Sequence, residues 1–465
     1  MSKRAYSLDA LRGYAILTMV LSATIAGSIL PGWMYHAQTP PPTHVFHPEI
    51  PGLTWVDLVF PFFLFAMGAA FPFSIRKRYE KGESKICLVY DALKRGIQLT
   101  FFAIFIQHFY PYMLSNPQDM RAWLLAVCCF ILLFPMFMRI PLQMPAWAHT
   151  AIKLAAYVVA TVMMLTTNYA GGQDFSLFTS NIIILLLANM AIFGSIIYLF
   201  TMYNWWTRAG VLVLLLAVIL SSEVEGSWTK VLFDYSPLPW MYRFDYLKYL
   251  FIVLPGSIAG DYLLRWMNCQ PEAADEEKVQ KAYGVLVLSV AIIVCNLAGL
   301  YNSCTFVNLL LTAALLLVGL WMLRGAKGSA ILWKQLFVLG AFLLLLGLCF
   351  EPFQGGIKKD PATFSYFFVT SGLGCMALIA FHIICDYFCC HKSTAFLVMS
   401  GQNPMIAYVA GDLLVMPLLG MLGITPLLSF FGTNVWLGFL QGLLLTSLSL
   451  LVTMFFTRIK WFWRT

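Results

Sequence analysis

Apolar runs of the ~20-residue length needed to cross a bilayer recur along the whole chain, separated by short polar stretches. They fall near 8–30, 54–75, 88–112, 119–138, 145–167, 179–201, 205–222, 246–267, 282–300, 304–323, 330–350, 364–386, 395–418 and 434–457. A membrane barrel would instead show alternating strands of ~10 residues. The pattern predicts an all-α fold: a polytopic integral-membrane helix bundle of about fourteen spans, forming a single domain over residues 1–465. Helices suit lipid because they satisfy every backbone polar group internally.

Positive residues orient the bundle. With the N-terminus (Lys3, Arg4) in the cytoplasm, the inside loops hold Arg76, Lys77, Arg78, Lys81, Lys85, Arg139, Arg208, Arg265, Lys278, Lys281, Arg324, Lys327, Lys392, Arg458, Lys460 and Arg464. Outside segments hold only Arg121, Lys230, Arg243, Lys248, Lys358 and Lys359. The positive-inside rule is then met with both termini cytoplasmic, as expected for a multi-pass membrane protein. The opening MSKR and apolar stretch lack a small-residue cleavage site, which predicts a retained first span rather than a cleaved signal.

Composition narrows the class. Residues are 60% hydrophobic and 11% charged, against roughly 25% charged in soluble domains. That excludes a soluble enzyme, a nucleic-acid binder and a disordered chain. The net charge of +8 reflects loop lysines and arginines and implies no nucleic-acid partner. Most of the eleven Cys lie in apolar runs, where they act as small hydrophobes. Cys389-Cys390-His391 lacks the second ligand pair a metal site needs.

Three outer segments are long enough to shape a site. Residues 31–53 carry six prolines with His36, His44 and His47; residues 223–245 are aromatic and acidic; residues 351–363 hold Glu351, Gly355, Gly356 and Asp360. The inner linker 268–281 is acidic (Glu272, Asp275, Glu276, Glu277) and reads as solvated. Gly256 and Gly260 form a G-x-x-x-G, read most simply as a close helix contact.

Ionisable groups within spans are costly and therefore candidates. They include Asp9, Arg12, Asp57, Asp91, Lys94, Arg95, Lys153, Asp261, Lys334, Asp386 and Asp412. Asp9 and Arg12, three apart, can pair on one helix face. Lys94 and Arg95 can snorkel. Thr54-x-x-Asp57 fits a helix capping box, and a capped carboxylate can also serve a site. His47 stands at the outer edge, where a neutral imidazole can accept a proton from an amine or hydroxyl and an Asp can orient the ring. A surface-loop histidine is the plain alternative, and His36 and His44 compete for the role.

Three stretches resemble one family: SLDALRGYAILTMVL (7–21), HPEIPGLTWVDLVFPFFLFAMG (47–68) and GQNPMIAYV (401–409). They are similar to the heparan-α-glucosaminide N-acetyltransferase family of transmembrane acyltransferases, and closer still to bacterial members described as N-acetylglucosamine-related transporters. The resemblance implies that acetyl-CoA, a co-substrate bound from the cytoplasm, gives its acetyl group to glucosamine or a related amino sugar or glycan at the outer face. It implies His47 as catalytic base, with Asp57 and Asn403 also catalytic. The opening-motif residues Asp9 and Arg12 carry over as well. The family also has an Asn in the first span, eleven residues before the His; counted from Arg-Gly, that place falls near Ala23.

The implied chemistry is coherent. Cytoplasmic cations, among them Arg12, Arg76, Lys94 and Arg95, would meet the CoA phosphates. Its thin arm would thread between helices to bring the thioester to His47, with Asn403 as oxyanion donor. Two routes are open, acetyl first parked on His47 or passed directly to the amine; direct transfer is preferred because it needs only base catalysis. The resemblance also suggests a homodimer, whereas a G-x-x-x-G in a polytopic chain usually packs helices internally. The rival function is an amino-sugar or N-acetylglucosamine transporter.

Overall fold

The computed structural model describes residues 4–25, 30–138, 144–269, 277–425, 428 and 434–464. Lys3, Arg139 and linker residues Glu272, Asp275 and Glu276 lie outside the described residues. The long helices, in chain order, are α1 (Tyr6–Thr24), α2 (Trp55–Ala69), α3 (Lys85–Phe109), α4 (Met120–Phe137), α5 (Ala146–Thr166), α6 (Ile182–Thr201) and α7 (Trp205–Ser221). They continue with α8 (Leu250–Asn268), α9 (Val279–Tyr301), α10 (Thr305–Met322), α11 (Ala330–Phe350) and α12 (Phe364–His382). A broken segment follows, α13 (Ala395–Gln402) and α14 (Pro404–Ala410), and then α15 (Val435–Arg458). Among the described residues there is no strand beyond the isolated bridge between Met138 and Trp463.

Eleven helical segments among the described residues are long and apolar enough to cross a membrane. The chain is thus an all-helical protein of multi-pass character. α1 and α3, which carry Asp9, Arg12, Lys94 and Arg95, are not among the eleven, and the apolar α7 is shorter. One expected span is not a single helix. Residues 395–418 break at Asn403, which has φ −130° and ψ 57°. Pro404 is the cause: its ring disfavours the α conformation in the residue before it, and it has no N–H to continue the ladder.

The central helices are α12 and α8, buried along nearly all of their length, with α2 and α6 beside them; α5 lies on the periphery. Small residues allow the closest contacts. A Cβ at Gly256 would lie 2.3 Å from the carbonyl oxygen of Phe65, and one at Gly260 2.3 Å from that of Ala69. The G-x-x-x-G is therefore an α8–α2 backbone contact within the chain. Gly13 meets the Leu397 carbonyl and Gly401 that of Asp9 in the same manner, fixing α1 against α13.

α1 and α2 run antiparallel. One face of the bundle carries the start of α1 and the far end of α2, since Arg12 and Ser74 line the same cavity. The opposite face carries Ile25, Tyr35 and Trp55, which pack together. Here the proline-rich segment folds over the start of α2, and the 351–363 segment docks onto it. The Gly52 N–H donates to the Ile357 carbonyl at 2.8 Å. Gly356 has φ 100° and lies where a Cβ would be 2.4 Å from Pro51, so both conformation and space call for glycine.

Candidate functional site: a histidine–aspartate pair above a basic-ended cavity

Asp57 is the third residue of α2 and almost fully buried. The Thr54 N–H donates to Asp57 Oδ2 at 3.0 Å, and the Asp57 N–H to the Thr54 carbonyl at 3.1 Å. The capping reading of Thr54-x-x-Asp57 thus holds. The Thr54 hydroxyl donates to the Tyr35 carbonyl at 2.7 Å, tying the helix start to the incoming loop. Tyr366 on α12 donates its hydroxyl to the Asp57 carbonyl at 2.9 Å. The Thr54 N–H and hydroxyl both lie 3.0 Å from Oδ2, and Oδ1 is left facing the loop.

Oδ1 meets His36, not His47. His36 Nδ1 lies 2.7 Å from it, and the Ala37 N–H lies 3.3 Å from Oδ2. An acceptor-only carboxylate makes Nδ1 the protonated nitrogen of a neutral ring and leaves Nε2 with a lone pair. His36 is about a third exposed, 37% for its side chain. Lys359 completes the group: Nζ lies 3.0 and 3.2 Å from the two ring nitrogens and 4.0 Å from Asp57 Oδ1. Burial lowers the Lys359 pKa below the ordinary lysine value, an effect opposed by the charges of Asp57 and Asp360. Gln38 locks the loop that delivers Lys359. Its amide donates to the Asp360 carbonyl and accepts from the Asp360 N–H at 3.0 Å.

The expected His47–Asp57 pair is not formed. His47 lies on the outer part of the same loop, 41% exposed, and its Nδ1 is 3.0 Å from the exposed Glu49 carboxylate. That carboxylate is held below the ordinary range by its own backbone N–H and by His47. The cause lies in the chain path. Prolines 40–42 carry His44 and His47 past the capped helix end, while His36 is still beneath it.

A cavity of about 360 Å³ runs inside the bundle. Along α2 and the helical turn that continues it (Pro72–Arg76), its wall extends from Phe60 through Phe63 and Met67 to Ser74, roughly 20 Å at ~1.5 Å per residue. Phe60 is one helical turn from Asp57. Ile16, Met19, Leu99, Phe102 and Leu187 make the middle apolar. The far end holds Arg12, Arg95, Gln402 and Arg464. A second cavity of about 380 Å³ shares Ser74, Arg95 and Arg464 with the first and adds Arg78, Lys94, Lys153 and Asp91. The Arg95 Nε is buried without a hydrogen-bond partner among the described residues. A buried unpaired guanidinium nitrogen at a cavity junction is a ready donor for an anion.

The other expected site residues divide. Arg12, Lys94 and Arg95 line these cavities. Asp9 does not; it pairs with Arg4 at 2.6 Å and with Arg12 at 3.4 Å, and so orients Arg12. Arg76 also lies off the cavities. It pairs with Glu80 at 2.7 Å and approaches Asp261 at 4.0 Å. Asp261 is engaged by the fully buried Arg208 at 3.0 Å and by the Tyr198 hydroxyl at 2.9 Å, a closed structural network.

Asn403 cannot act beside Asp57. It lies at the opposite end of the bundle, where its neighbour Gly401 touches Asp9. Its Nδ2 donates to the Trp461 carbonyl at 2.8 Å, and its Oδ1 accepts from the Trp463 N–H at 3.3 Å. Both halves of the amide are spent holding the C-terminal strap that sets Trp463 and Arg464 in the cavity wall. Ala23 lies near the end of α1, and its neighbour Thr24 contacts Gly442 and Thr446 on α15.

Among the described residues one group of side chains able to ligate a metal converges, Glu83, Cys87 and Asp91. Arg78 already bridges its two carboxylates, with Nε 2.9 Å from Glu83.

Sequence reasoning ranked His36 below His47 and did not single out Lys359, Gln38, Tyr366 or Arg464. The one available signal for Lys359 was that lysine is scarce on the outer face.

Stacked apolar helices with a polar site at one end and a cationic cavity at the other define the class, a polytopic α-helical membrane protein. Residues 4–263 match the family described as "Domain of unknown function (DUF5009)", more than half of the chain, and the protein belongs to that family. No curated protein matches it.

Proposed function

We propose that this protein is a transmembrane N-acetyltransferase, with His36 as its base, that moves acetyl from cytoplasmic acetyl-CoA to the amine of glucosamine or a related amino sugar at the outer face. The observation that carries the reading is the buried Asp57 carboxylate 2.7 Å from His36 Nδ1, one helical turn beyond a cavity whose other end is lined by arginines. Spans number fourteen in this account, and the arginine-lined face is cytoplasmic, in keeping with the positive-inside rule in a bacterial inner membrane.

The donor set fits an anionic thioester. Arg12, Arg95 and Arg464, with Lys94 and Lys153 alongside, would meet the phosphate groups as charge-assisted partners. The apolar stretch from Met67 to Phe60 suits a slender uncharged arm and excludes water around it. At the outer end, Asp57 keeps the His36 ring in the Nδ1–H tautomer. His36 Nε2 takes a proton from the acceptor amine, and Lys359 supplies positive charge where an oxyanion would develop. Asn403 supports the cavity wall in this mechanism and donates nothing to the reaction.

The test is CoA release by the purified protein, with and without glucosamine, in wild type, His36→Ala and His47→Ala. The account expects glucosamine-dependent release that is lost with His36 and largely kept without His47. A second reading, an amino-sugar transporter, draws on the helix break at Asn403-Pro404 beside the cavity, a feature of transporter sites. Sugar uptake into proteoliposomes with no acetyl-CoA-dependent product would favour it.

A further inference from the structure

Lys359 stands where an acceptor would. Its amine lies against the His36 ring, 3.0 Å from Nδ1 and 3.2 Å from Nε2, the lone-pair nitrogen, and 4.0 Å from the Asp57 carboxylate. The loop carrying it is fastened by Gln38 to both the N–H and the carbonyl of Asp360, so this placement is built in. Lys358, the residue before it, is held by its backbone N–H, which donates to the Thr363 hydroxyl at 3.1 Å, and its Nζ lies by Gly355, 3.7 Å from where a Cβ would stand there.

A primary amine against a positioned base is the arrangement that the acceptor sugar itself would need. We propose that Lys359 is an internal acetyl acceptor, a self-modification site that is filled when thioester is present and the acceptor sugar is not. This inference rests on the acetyl-transfer reading. In the step, Lys359 Nζ, as the neutral amine, forms a bond to the thioester carbonyl carbon as the carbon–sulfur bond breaks. The nitrogen gives one proton to His36 Nε2, which passes it to the departing thiolate, leaving a lysine amide and a free thiol. Burial, which holds the Lys359 pKa below that of an ordinary lysine, makes the neutral amine easier to reach. The product is uncharged and bulkier. It would cover His36 and remove the positive charge beside Asp57, so acetylation would close the site.

The test is peptide mass spectrometry of the full chain in nanodiscs after incubation with acetyl-CoA alone. In wild type, acetylation at Lys359 should exceed that at Lys358 by about a hundredfold, the low end of what a positioned base contributes. The excess should vanish in His36→Ala and in His36→Gln, and persist in His47→Ala, which leaves the pair intact. Equal labelling of Lys358 and Lys359, or an unmodified Lys359 in a protein that acetylates added glucosamine, overturns the inference and leaves the transfer reading standing. No acetyl-CoA consumption with or without sugar overturns the reading beneath it as well.

Discussion

Asp57 and His36 are 21 residues apart in sequence and 2.7 Å apart in space, joined through Oδ1 and Nδ1. The carboxylate is buried and the ring is partly open, so the pair has a fixed side and an accessible side. This relationship moves the proposed base from His47 to His36. It predicts that His36→Ala lowers acetyl transfer by about a hundredfold to ten-thousandfold, the range for a lost general base. His47→Ala should cost far less. Steady-state rates for the two variants decide between them.

Asp57→Asn tests the orienting role. The amide keeps the size of the side chain but can present a donor to His36 Nδ1, favouring the wrong tautomer. Activity should fall about as far as in His36→Ala. Thermal stability should fall by only about 1 kcal/mol, the usual scale for a weakened helix cap. A rate close to wild type would remove Asp57 from the mechanism and leave it as a cap.

Arg95→Gln probes the basic end. Losing a charge-assisted donor is worth about 1.5–3 kcal/mol, so KM for acetyl-CoA should rise roughly ten- to hundredfold with kcat little changed. The same variant should blunt the salt dependence of binding. An unchanged KM would place the phosphates elsewhere.

Gly256→Leu addresses the fold without touching the site. Its Cβ would already lie 2.3 Å from the Phe65 carbonyl, so α8 must move off α2. Overpacking of this kind costs about 1–3 kcal/mol, measurable as a lowered thermal midpoint in detergent. Gly210, with open space around it, is the control position, and Gly210→Ala should be neutral or better.

Lys359 gives a pH dependence with a definite sign. Its folded pKa is lowered by burial, so between that value and the ordinary ~10.4 the unfolded chain binds the extra proton. Stability therefore rises with pH across that window, as the penalty on the buried charge is relieved. Replacing the group with Lys359→Met should flatten the rise, read by thermal unfolding from neutral pH up to about 10.4. A wild-type slope equal to that of the variant would show that the ammonium carries no such penalty.

The sequence revealed whatever depends on local pattern. Apolar run length marked the helices, and Thr54-x-x-Asp57 marked the start of α2 because a cap needs only residues three apart. Gly256 and Gly260 signalled a close contact, though not that Phe65 and Ala69 would be the partners. Where the long proline-rich loop doubles back, pattern was not enough. Three histidines share that loop, and only its three-dimensional path selects His36. Lys359 arrives from 323 residues away, with no local signal. Asn403 misled in the opposite sense: its motif carried a role by resemblance, but Pro404 beside it breaks the helix and directs the amide to the C-terminal strap.

The most direct measurement uses proteoliposomes with acetyl-CoA sealed against the arginine-lined face and glucosamine supplied at the face that carries His36. The account predicts N-acetylglucosamine on the sugar side, with one CoA released on the other for each product, and neither in His36→Ala. Sugar crossing the membrane unmodified, with acetyl-CoA untouched, would contradict it.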